Sequence, residues 1–195
     1  MSVAFVLGNG RSRMALDLDQ LKKHGAIYGC NALYREFVPT VLVATDRPIS
    51  TAIQESGYSA QYQFYTRKPI PGLGARAVPQ QYFGFSSGPL AVSLAALAEH
   101  DPIYLVGFDM GPMPGDLFNN VYADTEFYKK SSSQPTYTGN WTRQILRIAG
   151  DFPRIRFVRV RGSTTAHIAQ FDGLANLFHL DLEDLQQRLN NPKDL

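Results

Sequence analysis

The sequence predicts an α/β fold: a Rossmann-like, three-layer domain built on a mostly parallel sheet around the strand that begins at Val3. Three observations carry that prediction. Short apolar runs alternate with segments of helical periodicity along the chain. The runs are apolar on consecutive residues, as in strands buried on both faces. Polar residues or glycines follow several runs at once, where ligands sit in such sheets.

The elements follow in order. Residues 3–7 (V-A-F-V-L) read as a strand that stops at Gly8-Asn9-Gly10-Arg11-Ser12. Residues 15–23 carry Leu18 and Leu21 among Asp17, Asp19 and Lys22, a helical pattern. Residues 26–29 form a second strand, 40–44 a third and 62–65 a weak fourth. A helix starts at Gly88-Pro89 with Leu90, Leu94 and Leu97 on one stripe, Ser87 as its cap and Pro89 in its first turn. Residues 103–106 are a buried strand, 141–149 a helix, 156–160 a strand and 182–189 a closing helix with a polar face. Two stretches, 67–87 and 111–139, carry no clear element. Loops that long in a compact domain are functional or disordered. The second contains Pro112, Pro114, Pro135 and the run Lys129-Lys130-Ser131-Ser132-Ser133, and reads as a lid loop. No repeat or linker divides the chain, and 195 residues suit one nucleotide-binding α/β domain with this lid inside it.

Composition excludes several classes. Hydrophobic residues make up 44% and charged residues 18%, enough apolar surface for a core. Nineteen Lys and Arg against 17 Asp and Glu leave a net charge of +2, without the basic excess of a nucleic-acid binder. The best nucleic-acid candidate, Arg154-Ile155-Arg156-Phe157-Val158-Arg159-Val160-Arg161, splits its arginines between two faces and reads instead as an edge strand guarded by charge. The single Cys30 excludes an intramolecular disulfide framework and a Cys-rich zinc site, and fits a cytoplasmic setting. No signal peptide and no membrane span are expected. No metal cluster or cofactor signature stands out.

Gly8-Asn9-Gly10-Arg11-Ser12 has two readings. It is an ordinary tight turn, or it brings backbone close to a ligand at a helix start. It is neither the dinucleotide fingerprint, which needs a third glycine, nor a Walker loop.

Further motifs stand in order behind it: Cys30-Asn31, Ser86-Ser87-Gly88, and the strand 103–106 ending Gly107-Phe108-Asp109. This set resembles the bacterial lipooligosaccharide sialyltransferases of glycosyltransferase family 42. It also resembles a related group of hydroxymethylpterin pyrophosphokinase-like and phage proteins. The family pattern is Gly-Asn-Gly-Pro-Ser, Cys-Asn, Ser-Ser/Thr-Gly and Gly-x-Asp; Arg11 stands here in place of proline.

The resemblance implies a donor site for CMP-sialic acid and a glycan acceptor. Asn9 and Asn31 would bond the ribose and phosphate region, and Gly8 and Gly10 would admit the ligand to the backbone. Ser12 would cap the first helix near it, and Ser86, Ser87 and Gly88 would face the nucleotide from a helix N-terminus. Asp109 belongs to this set or is a structural cap. In the family, tyrosine hydroxyls stabilise the departing phosphate and a histidine activates the acceptor. Tyr122 matches one tyrosine, while the other falls on Gly111. Tyr137-Thr138-Gly139 resembles the segment before the catalytic histidine, but Asn140 follows it, and an amide takes no proton near neutral pH. Of the four histidines, His24 and His100 end predicted helices and His179 lies near the last one. His167 follows a strand and is the candidate replacement base. The alternatives are a nucleotide- or glycan-binding module that lost its base, and a Mg²⁺-dependent transfer from ATP using Asp46 and Asp109.

Overall fold

Every residue of β1 (Ala4–Leu7) is buried, and its alternating side chains enter two cores. Ala4 and Val6 join one face, Phe5 and Leu7 the other. Two-sided burial is why the strand reads as an unbroken apolar run. The computed structural model describes residues 2–191, 193 and 195. β1 pairs with β2 (Ala26–Cys30) on one side and β6 (Ile103–Val106) on the other. Beyond β2 lie β3 (Val41–Val43), β4 (Phe64–Thr66) and β5 (Arg76–Ala77); beyond β6 lie β7 (Phe157–Arg161) and β8 (Leu177–Asp181). The eight strands run in the order 5-4-3-2-1-6-7-8, and every pairing is parallel. The chain winds outward from β1 to β5, then crosses back to β6. Strand order therefore reverses between β1 and β6, and a crevice opens beyond their carboxyl ends.

Helices cover both faces. α1 (Leu18–His24), α2 (Arg47–Glu55) and α6 (Leu182–Asn190) bury Leu21, Ile49, Ile53, Leu185 and Leu189 against the Phe5 face. The short α3 (Tyr58–Gln61) follows α2 and buries Tyr58 in the same core. α4 (Ser87–Leu97) and α5 (Gly139–Asp151) bury Leu90, Ala95, Ile145 and Ile148 against the Ala4 face. Among the described residues no helix is long and apolar enough to cross a membrane.

Several elements depart from expectation. The first helix starts at Leu18 because the Asp17 carboxylate accepts from the N–H groups of Asp19 and Gln20 at 2.9 and 3.3 Å, while Arg11–Ala15 forms a separate 3-10 turn. Ser86, not Ser87, is the N-cap of α4, so Pro89 is its third residue. Of the stripe Leu90, Leu94, Leu97, Leu90 is buried and Leu94 half-buried against the core, but its last member is not. Leu97 is 44% exposed, and Ala91, Val92, Ala95 and Ala96 are buried, small side chains that let the helix lie close to the sheet. The arginine-rich strand is not an edge strand: β7 is paired on both sides, and β8 is the edge. α2, β5 and β8 are elements beyond those expected. Residues 111–139 contain no helix or strand before α5, as expected, beyond an isolated bridge between Met113 and Leu117.

Candidate functional site

The two glycines at the end of β1 owe their place to a neighbouring loop. The Gly8 and Gly10 N–H groups donate to Val106 O and Gly107 O at 2.8 and 2.9 Å, continuing the β1–β6 pairing past both strands. A Cβ on Gly8 would sit 2.5 Å from Gly107 O; one on Gly10 would sit inside the Asp109 carboxyl group and 2.7 Å from Gly107 O. Neither residue has positive φ. The glycines let two loops pack backbone to backbone, which is neither a simple turn nor, in itself, a ligand contact.

Asp109 explains what this packing builds. It is 2% exposed, and its carboxylate collects donors from three segments. Oδ2 accepts from Ser12 N at 3.0 Å, Asn119 Nδ2 at 3.2 Å and Thr164 Oγ1 at 2.6 Å. Oδ1 accepts from Ser12 Oγ and from Thr165 Oγ1 at 3.2 Å. One buried carboxylate thus ties the loops after β1, β6 and β7 together. Ser12 accordingly turns toward Asp109 and away from the cleft, and it caps no helix. Arg159 supports the same floor from below. It is 1% exposed and donates to Phe108 O, Asp109 O and Ala166 O at 2.9–3.0 Å. Burial pulls the guanidinium pKa down to about 10, with the nearby Asp109 charge opposing that shift. The cation expected to guard a sheet edge is instead consumed by loop carbonyls.

Above this floor lies a cavity of about 210 Å³ at the strand reversal. Gly8, Asn9 and Gly10 line it from the β1 end, Cys30 and Asn31 from β2, Thr45 and Asp46 from β3, and Arg67 from β4. Ser86, Ser87, Gly88 and Pro89 bring the start of α4 to it, and Gly107–Gly111 residues complete the floor, Asp109 among them. Helix starts leave their first N–H groups without intrahelical acceptors. Those of Ser87 and Gly88 therefore carry the positive end of the α4 dipole into the cleft. The Ser87 hydroxyl is fixed by Thr45, whose N–H donates to it at 3.0 Å.

Asn31 is the strained residue on this wall. Its φ is +54°, in the left-handed region, and its Oδ1 is buried with no hydrogen-bond partner among the described residues. Such a backbone conformation is uncommon outside glycine, and a buried acceptor ordinarily finds a donor. Met110 on the floor is also left-handed, at φ +50°. Burial pushes the Cys30 thiol up to about 12, favouring the protonated form, which donates to Leu7 O.

The sequence-predicted residues separate into two groups. Gly8, Asn9, Gly10, Asn31, Ser86, Ser87, Gly88 and Asp109 share the cavity. The residues expected to perform catalysis do not line it. Tyr122 is buried, its hydroxyl donating to Glu36 Oε1 at 2.6 Å and accepting from Arg13 Nη2 at 2.7 Å. Burial would raise the Glu36 carboxyl, but the Tyr122 hydroxyl and Arg13 together hold it below the usual carboxylate range. Tyr137 is 71% exposed, its hydroxyl folded over Gly139 at the start of α5. The Asn140 amide oxygen accepts from Arg143 on the surface of α5. His167 is exposed and pairs with Asp172 at 3.2 Å. His100 bonds Ser2 and the Tyr28 hydroxyl, a structural role, and His179 lies in β8 opposite Arg159, just before the last helix as expected.

Thr45, which the strand-end rule marks, is in the lining; Arg67, Asn119 and Trp141 are lining residues that rule does not reach from the sequence. Arg67 follows β4 directly, so the strand-end rule marks it once that strand is placed at Phe64–Thr66. Asn119 belongs to the long loop and clips it down. Its Oδ1 accepts from Arg11 N at 2.9 Å while its Nδ2 donates to Asp109 and to Gly111 O. Val121 N donates to Asn9 O at 2.8 Å, and Phe118 and Tyr122 are buried. Residues 118–122 are therefore fixed, while Pro135, Thr136 and Thr138 form the cavity wall farther along the loop. Among the described residues no group of three or more His, Cys, Asp and Glu side chains is arranged to hold a metal ion.

No family model matches the chain, and no curated protein matches it. Among solved structures it is similar to the MAf glycosyltransferase from Magnetospirillum magneticum AMB-1, at 16% identity and a TM-score of 0.52. That likeness covers 98% of this chain and 37% of the MAf chain, so this domain spans little more than a third of that protein's length. At such identity the likeness is one of fold: the α/β Rossmann-like architecture recurs there.

Proposed function

We propose that the cleft at the β1–β6 reversal binds a nucleotide-sugar donor and that the domain serves glycosyl transfer, with CMP-sialic acid as the donor that the sequence motifs imply. One observation carries this reading. Asn9, Asn31, Ser86, Ser87 and Gly88, spread over 80 positions of sequence, line a single cavity. Neutral amides and hydroxyls read ribose hydroxyls, and helix-start N–H groups receive a phosphate without a metal. The fold likeness to a protein described as a glycosyltransferase agrees with this reading.

In such a transfer an acceptor hydroxyl attacks the anomeric carbon and forms the new C–O bond. The bond from that carbon to the nucleotide phosphate breaks, and its electron pair leaves on the phosphate oxygen. The first turn of α4 is placed to stabilise that developing charge. The acceptor proton needs a base. Asp46 supplies it in this scheme: it is exposed on the cleft wall and its carboxylate makes no cap bond, whereas the Asp109 carboxylate is filled by protein donors. The same saturation removes Asp109 as a magnesium ligand and weakens the ATP-dependent alternative.

A second reading, a nucleotide-binding module without transfer, is favoured by the placement of Tyr122, Tyr137, Asn140 and His167 outside the cavity. Thermal shift with CMP, UDP, GDP and ATP, each with chelator or with Mg²⁺, tests the binding both readings share. A ligand at a hundredfold its Kd stabilises by about 2.7 kcal/mol. Stabilisation by CMP in chelator is expected; stabilisation by ATP with Mg²⁺ alone overturns it. Release of CMP from CMP-sialic acid then separates transferase from module.

A further inference from the structure

We propose that Arg67 is the anion-recognising residue of the cleft, seating an oxyanion of the ligand, phosphate or carboxylate, between its guanidinium and the first turn of α4. The inference rests on the nucleotide reading above and adds to it a residue that none of the motifs contains.

Arg67 is half-buried on the cavity wall. Its Nε donates to Phe83 O at 2.8 Å and its Nη2 to Phe85 O at 2.7 Å. Phe85 immediately precedes Ser86, the N-cap of the 11-residue α4. The guanidinium is thus pinned beside the helix start, and its planar fork is held rigid before any ligand arrives. Of its five N–H donors, three have no acceptor among the described residues. Among the described residues no carboxylate pairs with Arg67, although other arginines find Glu36, Asp151, Asp101 and Asp181. Asp46 lines the same cavity and still makes no ion pair with it.

A partly desolvated cation fixed by two carbonyls and lacking a counter-ion is an anion site in waiting. The unsatisfied Asn31 Oδ1 on the same cavity wall independently calls for a ligand that brings a donor, such as a sugar hydroxyl or a base amino group. A ligand with an oxyanion and a hydroxyl-bearing sugar meets both demands.

Isothermal titration in chelator with cytidine, CMP and CMP-sialic acid tests this on the wild type, Arg67→Ala and Arg67→Gln. The glutamine variant keeps one donor toward the Phe85 carbonyl and serves if the alanine variant melts early. If phosphate is the partner, the variants lose about tenfold in CMP affinity, about 1.4 kcal/mol, while cytidine affinity holds. If carboxylate is the partner, CMP and cytidine hold and CMP-sialic acid loses its margin over CMP. Unchanged affinities for all three ligands overturn the inference and leave the nucleotide reading standing. A parallel fall for cytidine and CMP also overturns it, because Arg67 then only supports the cleft. Failure of the wild type to bind any of the three overturns both.

Discussion

Replacing Asp109 tests whether its carboxylate holds the floor of the cleft. Asp109→Ala removes the acceptor for five donors. Thr164, Thr165 and Asn119 are part-buried and regain water, but the Ser12 N–H and hydroxyl bonds lie in the buried interior. Each buried group left unpaired costs about 1–3 kcal/mol, so the variant loses roughly 2–6 kcal/mol. That is a large share of the roughly 5–15 kcal/mol a domain possesses. Asp109→Asn preserves shape. Its oxygen retains the three donors on the Oδ2 side, and the two hydroxyls on the Oδ1 side rotate to accept from the new amide. Only charge assistance is lost, about 1–3 kcal/mol. Urea unfolding gives both values from midpoint and slope. The reasoning predicts Ala well below Asn and Asn below wild type. An Asp109→Ala protein within about 0.5 kcal/mol of wild type refutes it, because a ligand-binding carboxylate without a structural role is expected to be nearly neutral for stability.

Other positions give separate outcomes. Gly10→Ala forces a Cβ into the Asp109 carboxyl group and lowers stability by about 1–3 kcal/mol in the same urea assay. Asn31→Gly relieves the left-handed backbone and removes the unsatisfied amide oxygen; the melting temperature holds or rises while CMP affinity falls by about 1–3 kcal/mol by calorimetry. Burial lowers His179 below its ordinary pKa of 6.5, with Arg159 and Arg161 adding to the effect. A folded-state value below the unfolded one means stability that is full above 6.5 and declines as pH falls through the folded value. His179→Gln should flatten the loss of urea midpoint between about pH 7 and pH 5.

The centre of the sheet and half of the cleft were legible because they rest on local rules. β1 and β6 are buried on both faces and leave continuous apolar runs, and the residues just beyond them fall in the crevice. The outer elements were not legible. β5 is two residues long, and on β8 Phe178 is exposed while only Leu177 and Leu180 are buried, so neither shows a clean period. α2 differs from these, since Asp46 and Pro48 at its start and Ile49 with Ile53 are readable helix signals. Arg159 is illegible as a core residue because a charge ordinarily implies exposure, whereas here loop carbonyls from residues far apart in sequence offset its cost of burial. The glycines of Gly8-Asn9-Gly10 misled for a similar reason, since their constraint is the β6 loop almost 100 positions away. Catalytic positions inferred by resemblance alone missed the cavity, as those side chains found partners such as Glu36, Arg143 and Asp172.

The central claim is that the cleft binds a nucleotide without a metal. Isothermal titration of the wild-type protein with CMP in the presence of chelator tests it most directly. The account predicts saturable binding at one site per chain. Absence of binding by CMP in chelator, with binding by ATP that appears only when Mg²⁺ is supplied, contradicts it.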